Sequence, residues 1–600
     1  MLKELCEYYD LLRSRGESGL VEEGYSSVPI TFDLVLNEDG TICEILSYRQ
    51  QQLVGKKIKL VPTEERFPFR NSISGIAAET IDHREKYLFG LDWDKAAQSL
   101  CVTKNSTLAF EKCKEVNLAF LEPIHTPLAE AYKAFLHLWR PQEQMQHPAL
   151  VQMGKEYAGA KFVITLRGEI DKPLNRQPEV TERWEQVFAR TSAPKEDDIV
   201  GQCAISGNRL PLARTHDSIS GIRGGLATGV NLVCFNNTAF ESYGRKQSYN
   251  SSISVESMKK YTGAVNYLTS SKIHKQMLGD MTLLYWAGTA KDEQPYLDMF
   301  CFGLMPNSQS AAEADEAARR ETDEMLQKIY DEFAAGRTAE IDGIDFTTQF
   351  YVLGLKPNSS RLSVKIFEKN SFGKILKNIA RHCADMRFSP SDKPLSVWQI
   401  DKALLSPVTS ESGDPALQAK LLLAILQGTP YPQAMLGTVV RRCRIDRDDP
   451  DKKQFSVSNT RARIIRASLR RQNYFLEDEY TMLQENSTDT AYNLGRLFAV
   501  LEKVQTEALG NVNATIKDKF FSSACTTPAL VFPRLLKLAQ PHLAKLGEGN
   551  RIYKDRLIGE ILAKIDGTFP NTQSVQQQGM FILGYYQQKQ KLYEKTEKGE

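Results

Sequence analysis

The chain has 600 residues, of which 76 are Lys or Arg and 74 are Asp or Glu, giving a formal charge of +2. That balance excludes a polycation that binds nucleic acid by bulk charge, and the length argues for two to four domains with ample burial. Ten cysteines without a C-x-x-C pair point away from a zinc site or a disulfide framework and toward a reducing, cytoplasmic setting.

In chain order, MLKELCEYYDLLRSRGE predicts an amphipathic helix, and no apolar run approaches membrane-spanning length, so neither export nor a membrane is expected. Residues 28–48 place two strand-like runs around Asn37-Glu38-Asp39-Gly40, a hairpin signal. A helix near 126–140, a strand at 161–166, a helix near 254–269 and a strand at 281–288 follow. Residues 311–336 are rich in helix formers and end in Gly336, which predicts a long exposed helix. A second hairpin at 349–368 turns at Pro357-Asn358-Ser359-Ser360 and precedes a helix at 371–384. From about 396 the pattern is helical, with breaks at 406–415 and 446–454. The expected fold class is α+β: a mixed N-terminal body with hairpins over 1–395, a helical connector over 396–480, and an all-α bundle over 481–600.

Enzyme signatures are absent: there is no G-x-x-x-x-G-K-[ST], no H-E-x-x-H, and no metal-spaced cluster among the eight histidines. NSISG (71–75) and DSISG (217–221) lack the first glycine of a nucleophile elbow and read as turns or caps. No catalytic residue, metal or cofactor is expected. SGIRGGLATG (220–229), with Arg223, fits either a phosphate nest or a connecting loop.

Basic clusters are local. In the stretch 436–475, Arg463, Arg466 and Arg470 on a helix lie opposite Ile464, Ile465 and Leu469, with no Glu at i±4 to pair them. Phosphate contact and a solvated face both fit that stripe. Farther on, Leu494, Leu497, Leu501 and Val504 form an apolar stripe with Arg496 and Lys503 away from it. Arg534, Lys537 and Lys545 share a side of a helix that Pro541 should kink. The run DRDDPD (446–451) reads as a solvated linker.

The stretch GVNLVCFNNTAFESYGRKQSY (229–249) begins as a strand over Gly229–Phe235 and then loses apolar periodicity. Asn236, Asn237, Tyr243, Arg245, Lys246 and Gln247 offer amides, cations and a ring. Such a set suits nucleic-acid contact, and packing against a neighbouring protein fits it too.

Taken in order, ISGNRLPLARTHDSISGIRGG (205–225), GVNLVCFNNTAFESYGRKQSYNSSIS (229–254), GLKPNSSRLSVKIF (354–367), AILQGTPYP (424–432), AYNLGRLFAVLEKVQ (491–505) and NATIKDKFFSSACTTPALVFPRLLKLAQPHLAKL (513–546) resemble the large subunit of the subtype I-C CRISPR Cascade complex. The resemblance covers nearly the whole chain. It departs at SGIAAETIDHREKYLFG (74–90), where the family tends to carry a Pro-x-x-Leu-x-Asp-Asn type stretch.

The resemblance implies a non-enzymatic subunit beside the crRNA 5′ end that contacts the crRNA-processing and backbone subunits. It implies reading of the protospacer-adjacent motif on double-stranded DNA, help in opening that duplex to single strands in an R-loop, and recruitment of a helicase–nuclease. It also implies that a small subunit arises by internal translation, for which Met482 is the candidate start. Arg496, Lys503, Lys517, Lys519, Arg534 and Lys537 would then face DNA backbone. A nuclease would instead need an acidic metal cluster or a His-centred base. A purely structural bracket would need no readout at all.

Overall fold

Asp39 and Gly40 close the first hairpin as expected. Asp39 Oδ1 accepts from Thr41 N at 2.9 Å, and Gly40 adopts φ +83°, a value β-branched residues avoid. The flanking strands Phe32–Leu36 and Ile42–Ser47 pair antiparallel, and Phe32–Leu36 also pairs parallel with Phe162–Leu166. A second sheet runs in the order Tyr25–Ile30, Lys57–Pro68, Arg49–Val54. Helices Lys104–Leu121 and Pro127–Leu138 supply the apolar partners of a core that includes Leu34, Phe89, Tyr132, Phe135, Trp139 and Phe162.

The computed structural model describes residues 1–600 except 18–19, 21–23, 55–56, 70–74, 193–198, 227–228, 305–323, 325–327, 330, 334, 338–343, 390–391, 408–412, 450, 452–454, 477–478, 511–513, 566 and 595–600. Most of the helix expected at 311–336 lies outside the described residues. The chain divides into two compact units: Gly16–Ala213 with Ser252–Lys259, which holds the core just described, and Met1–Arg15 with Arg214–Ser251 and Lys260–Glu600. The body expected over 1–395 therefore contributes to both.

In the larger unit, four antiparallel strands run in the order Lys275–Leu278, Met281–Ala287, Gln349–Asn358, Arg361–Ser371. Every residue of MTLLYWA (281–287) is buried, which explains its continuous apolar run: both faces of the sheet are covered. On one face, Trp286 stacks on Tyr351 at 5.0 Å and meets Tyr8 of helix Leu2–Arg15 at 5.6 Å. The other face, with Leu283, Tyr285, Phe350 and Val352, joins helix Phe372–Asp385 and the helices after it in one core. The fold is α+β, with helices dominating the C-terminal region.

Two of those helices approach unusually closely. Thr490–Leu509, N-capped by Asp489, lies along Val575–Tyr593, which opens with a Ser574/Gln577 capping box. A Cβ on Gly495 would stand 1.9 Å from the Phe581 carbonyl oxygen, and one on Gly584 would stand 2.1 Å from that of Tyr492. Glycine on each helix faces backbone of the other. Gly579 in turn faces the side chains of Ile465, Leu469 and Leu436. The core therefore continues from 433–471 into 490–593, and Met482 between them is 70% exposed.

Candidate nucleic-acid interface

The expected strand at 229–235 does not form. Gly229 sits at φ +92°, where a Cβ would also meet Ser218 at 2.7 Å, and the chain turns there. Val230 then exchanges backbone bonds with Ile219, while Asn231 N donates to Ser360 O and Asn231 O accepts from Leu362 N. Backbone pairing thus switches partner after one residue, which fixes the segment to the end of the second hairpin without making a ladder. Asn231 Nδ2 also donates to His216 O at 2.9 Å.

Beyond Phe235 the chain forms a tethered loop. Asn237 caps a single 3₁₀ turn, Thr238–Phe240. Ser242 and Arg245 then bridge across Tyr243 (φ +53°) and Gly244 (φ +70°), the double left-handed pattern of a tight hairpin turn. Asn250 holds that turn, its Oδ1 accepting from Ser242 N at 3.0 Å and its Nδ2 donating to Arg245 O and Gln247 O at 2.7 and 2.8 Å. Tyr243 is placed at the tip, 99% exposed. A ring held out in a strained backbone conformation contributes nothing to the core.

The loop's base is fixed by arginines. Arg361, from the second hairpin, donates through Nη2 to Asn236 Oδ1 and lies 4.3 Å over the Phe240 ring. Arg214 Nε donates to Gln247 Oε1 at 2.8 Å, and Arg214 O accepts from Ser248 N. Beneath, His216 Nδ1 lies 2.5 Å from Tyr261 Oη, and burial depresses the His216 pKa to about 4, so the imidazole is neutral at physiological pH. Asn236, Asn237, Tyr243, Arg245, Lys246 and Gln247 are thus gathered on one loop, all exposed except the half-buried Gln247. Arg223 is exposed on a neighbouring turn, where a Cβ on Gly224 would touch Pro357 of the same hairpin end.

The outward basic stripe on 459–471 is not there. Every residue from Arg461 to Arg471 is buried. Arg463 donates to Met386 O and Lys393 O, and Arg466 to Asp385 O, Arg387 O and Glu479 O. Arg470 and Arg471 share the carboxylate of Asp385. Arg471 reaches Ala424 O and Thr429 O, and Arg461 reaches Ala403 O and Leu405 O. Among these acceptors, Asp385 O and Met386 O lie at the end of helix Phe372–Asp385, Ala424 O in the last turn of Pro415–Gln427, and Ala403 O and Leu405 O at the end of Val397–Leu404. One helix therefore contacts the C-terminal ends of three others, its guanidiniums donating to carbonyls at the negative ends of their dipoles. Burial lowers the Arg463 pKa from its ordinary value, so this placement is costly without those acceptors.

Other expected cations are also engaged. Arg496 is buried and donates to Gln588 Oε1, Glu485 O and Asn493 Oδ1. Lys517 pairs with Asp448, and Lys503 with Glu507 at 3.6 Å. The acidic run read as a solvated linker thus supplies Asp448 to Lys517 and Asp446 to Arg461. Lys519, Arg534 and Lys537 are exposed, as expected.

One cluster was missed by spacing. Ligand-type atoms of Glu79, Asp82 and His83 lie within 4.8 Å of one another. Arg84 already pairs with Asp82 at 2.5 Å and Glu79 at 3.4 Å, and Asp82 accepts from the amides of Glu79 and Arg84. Asn117 holds the same segment through Ile81 N and Glu79 O. These carboxylates serve as a latch for the stretch that departs from the resembled family.

Comparison with known families decides the assignment: the family model of the CRISPR-associated protein (Cas_Csd1) matches residues 5–593. The chain belongs to the Cas_Csd1 family. No curated protein matches it. Matched by the Cas_Csd1 model over nearly its whole length, the chain is a CRISPR-associated Cascade subunit of the type I-C large-subunit class. Among the described residues of this Cas_Csd1 chain, no helix is long and apolar enough to cross a membrane.

Proposed function

We propose that this Cas_Csd1 chain is a non-catalytic subunit that reads the protospacer-adjacent motif on duplex DNA with the 236–247 loop. It then assists duplex opening and R-loop formation and recruits the helicase–nuclease. The observation that carries the reading is the tethering of amides, cations and the fully exposed Tyr243 on one loop fixed at its base by Arg361 and Arg214. Base readout needs such groups held rigidly outside the core. Around this activity the chain would contact crRNA and the crRNA-processing and backbone subunits. Lys519, Arg534 and Lys537 are the surface cations proposed for DNA backbone, and Met482 stays the proposed start of a small-subunit product.

The test is Asn236→Ala with Gln247→Ala in the assembled complex. Binding to motif-bearing duplex should weaken by about 1–3 kcal/mol per lost base contact, with a smaller loss on a single-stranded target that displays no flanking base pairs. Equal losses on both targets would assign the loop to assembly.

A further inference from the structure

Each of the three amides of the loop has its oxygen engaged within the protein. Asn236 Oδ1 accepts from Arg361, Asn237 Oδ1 accepts from Ala239 N at 3.1 Å, and Gln247 Oε1 accepts from Arg214 at 2.8 Å. Among the described residues, Asn236 Nδ2, Asn237 Nδ2 and Gln247 Nε2 make no hydrogen bond. Arg223, Arg245 and Lys246 carry donors only. A free amide offers both a donor and an acceptor, and so fits adenine's N6–H and N7 together. Here each oxygen already has a protein donor on one of its two lone pairs, so the NH₂ is the end left without a protein partner.

We infer that the loop reads chiefly through its donors: the edge it recognises presents acceptors, and the inference rests on the base-reading proposal above. In the major groove that edge is the O6/N7 pair of guanine. In the minor groove it is adenine N3 or thymine O2, with guanine N2–H₂ disfavoured. A bidentate amide–adenine contact would need a further donor on an oxygen already held by Arg361, Arg214 or Ala239 N, and is disfavoured. Arg361 and Arg214 are then positioning residues, because each sets which end of an amide faces outward. Neither was prominent in the sequence, since Arg361 follows Asn236 by 125 positions and Arg214 precedes Gln247 by 33.

The experiment uses the full chain in its assembled complex with crRNA. Duplexes with randomised flanks first identify the preferred motif. Within that flank, single acceptors are deleted with 7-deazapurines (N7) or 3-deazaadenine (N3), and single donors with purine for adenine, 2-pyrimidinone for cytosine or inosine for guanine. Each effect is compared between wild type and the Asn236→Ala/Gln247→Ala variant, which cancels changes in duplex stability.

The expected result is a loss of about ten- to a hundred-fold for one acceptor deletion, absent in the variant, with donor deletions less than about two-fold. The N7 and N3 arms say which groove is used. A loop-dependent loss on deleting an exocyclic amino group would overturn the inference while leaving base reading intact. Wild-type binding insensitive to the flank would overturn the base-reading proposal itself. Arg361→Ala should release Asn236 Oδ1 and relax discrimination against adenine, with Arg361→Lys restoring it. Arg214→Ala is the parallel variant at Gln247. An unaltered base profile in both arginine variants, with binding retained, would refute their positioning role.

Discussion

Gly495→Ala places a methyl group 1.9 Å from the Phe581 carbonyl oxygen and 2.8 Å from Tyr585 N. An ordinary contact is about 3.4 Å, so the two helices must part locally by about 1.5 Å, and the obstacle is backbone, which has no rotamer to change. Helix Val575–Tyr593 cannot simply retreat, because Gly579 on the same helix packs against Ile465, Leu469 and Leu436. Overpacking of this kind costs about 1–3 kcal/mol and more when the backbone is fixed, so we expect at least about 3 kcal/mol. Gly584→Ala, 2.1 Å from Tyr492 O, should match it. The control is Gly559→Ala, exposed within helix Glu548–Leu562 with nothing within 4 Å, which should stabilise by about 0.5–1 kcal/mol through helix propensity. Urea midpoints of the purified chain, followed by far-UV circular dichroism, distinguish them. A Gly495→Ala midpoint equal to that of Gly559→Ala would refute the close crossing.

Arg466→Ala strands the carbonyls of Asp385, Arg387 and Glu479 and should cost about 3 kcal/mol or more, while leaving the salt slope of DNA binding in folded complexes unchanged. Lys537→Ala with Arg534→Ala should do the reverse, flattening that slope with little effect on unfolding. Asp33, with both carboxylate oxygens 2.9 Å from Thr165 Oγ1, is pushed by burial from its ordinary 3.8 up to about 7, with Thr165 opposing and Glu44 adding to the rise. The unfolded carboxyl ionises first, so this group's contribution is fully present below about pH 4. It is lost as pH rises through 7, a change of about 4 kcal/mol that Asp33→Asn should flatten in unfolding measured from pH 4 to 8. Mass spectrometry of the assembled complex should find a C-terminal polypeptide starting at or near Met482, removed by synonymous changes just upstream of its codon. A DNA-binding complex without that polypeptide would end the internal-start proposal.

Local signals were readable where the chemistry is local. The Asp39-Gly40 turn, the second hairpin and the apolar stripe of Leu494, Leu497, Leu501 and Val504 follow from neighbours in sequence. The loop's exposed side chains were also legible, since a mixture of Asn, Arg and Tyr has no period to bury. The strand over 229–235 failed because Asn231 bonds to His216 O and its backbone pairs with 360 and 362, partners outside any local window. The arginines of 459–471 were misread for a related reason. No carboxylate stands at i±4; the acceptors are the Asp385 carboxylate, carbonyls 42 to 81 positions earlier, and Glu479 O 13 positions after Arg466, all outside that window. Gly495 and Gly584 likewise look like isolated helix glycines until their crossing partner is known.

The arginine helix Asn459–Arg471 also has a consequence in time. Asp385 leaves the ribosome 86 residues before Arg471, the side chain that binds its carboxylate. At roughly 5–20 residues per second the interval is about 4–17 s for the helix ending at Asp385, and shorter for those ending at Leu404 and Gln427, during which their last carbonyls lack the guanidinium partners. Completion of residues 459–471 is thus the event that allows the preceding helices to settle together, and a ribosome pause before it would prolong their exposure. A polypeptide begun at Met482 contains none of these arginines, so it is made without that wait and without the means to end it for its longer sibling.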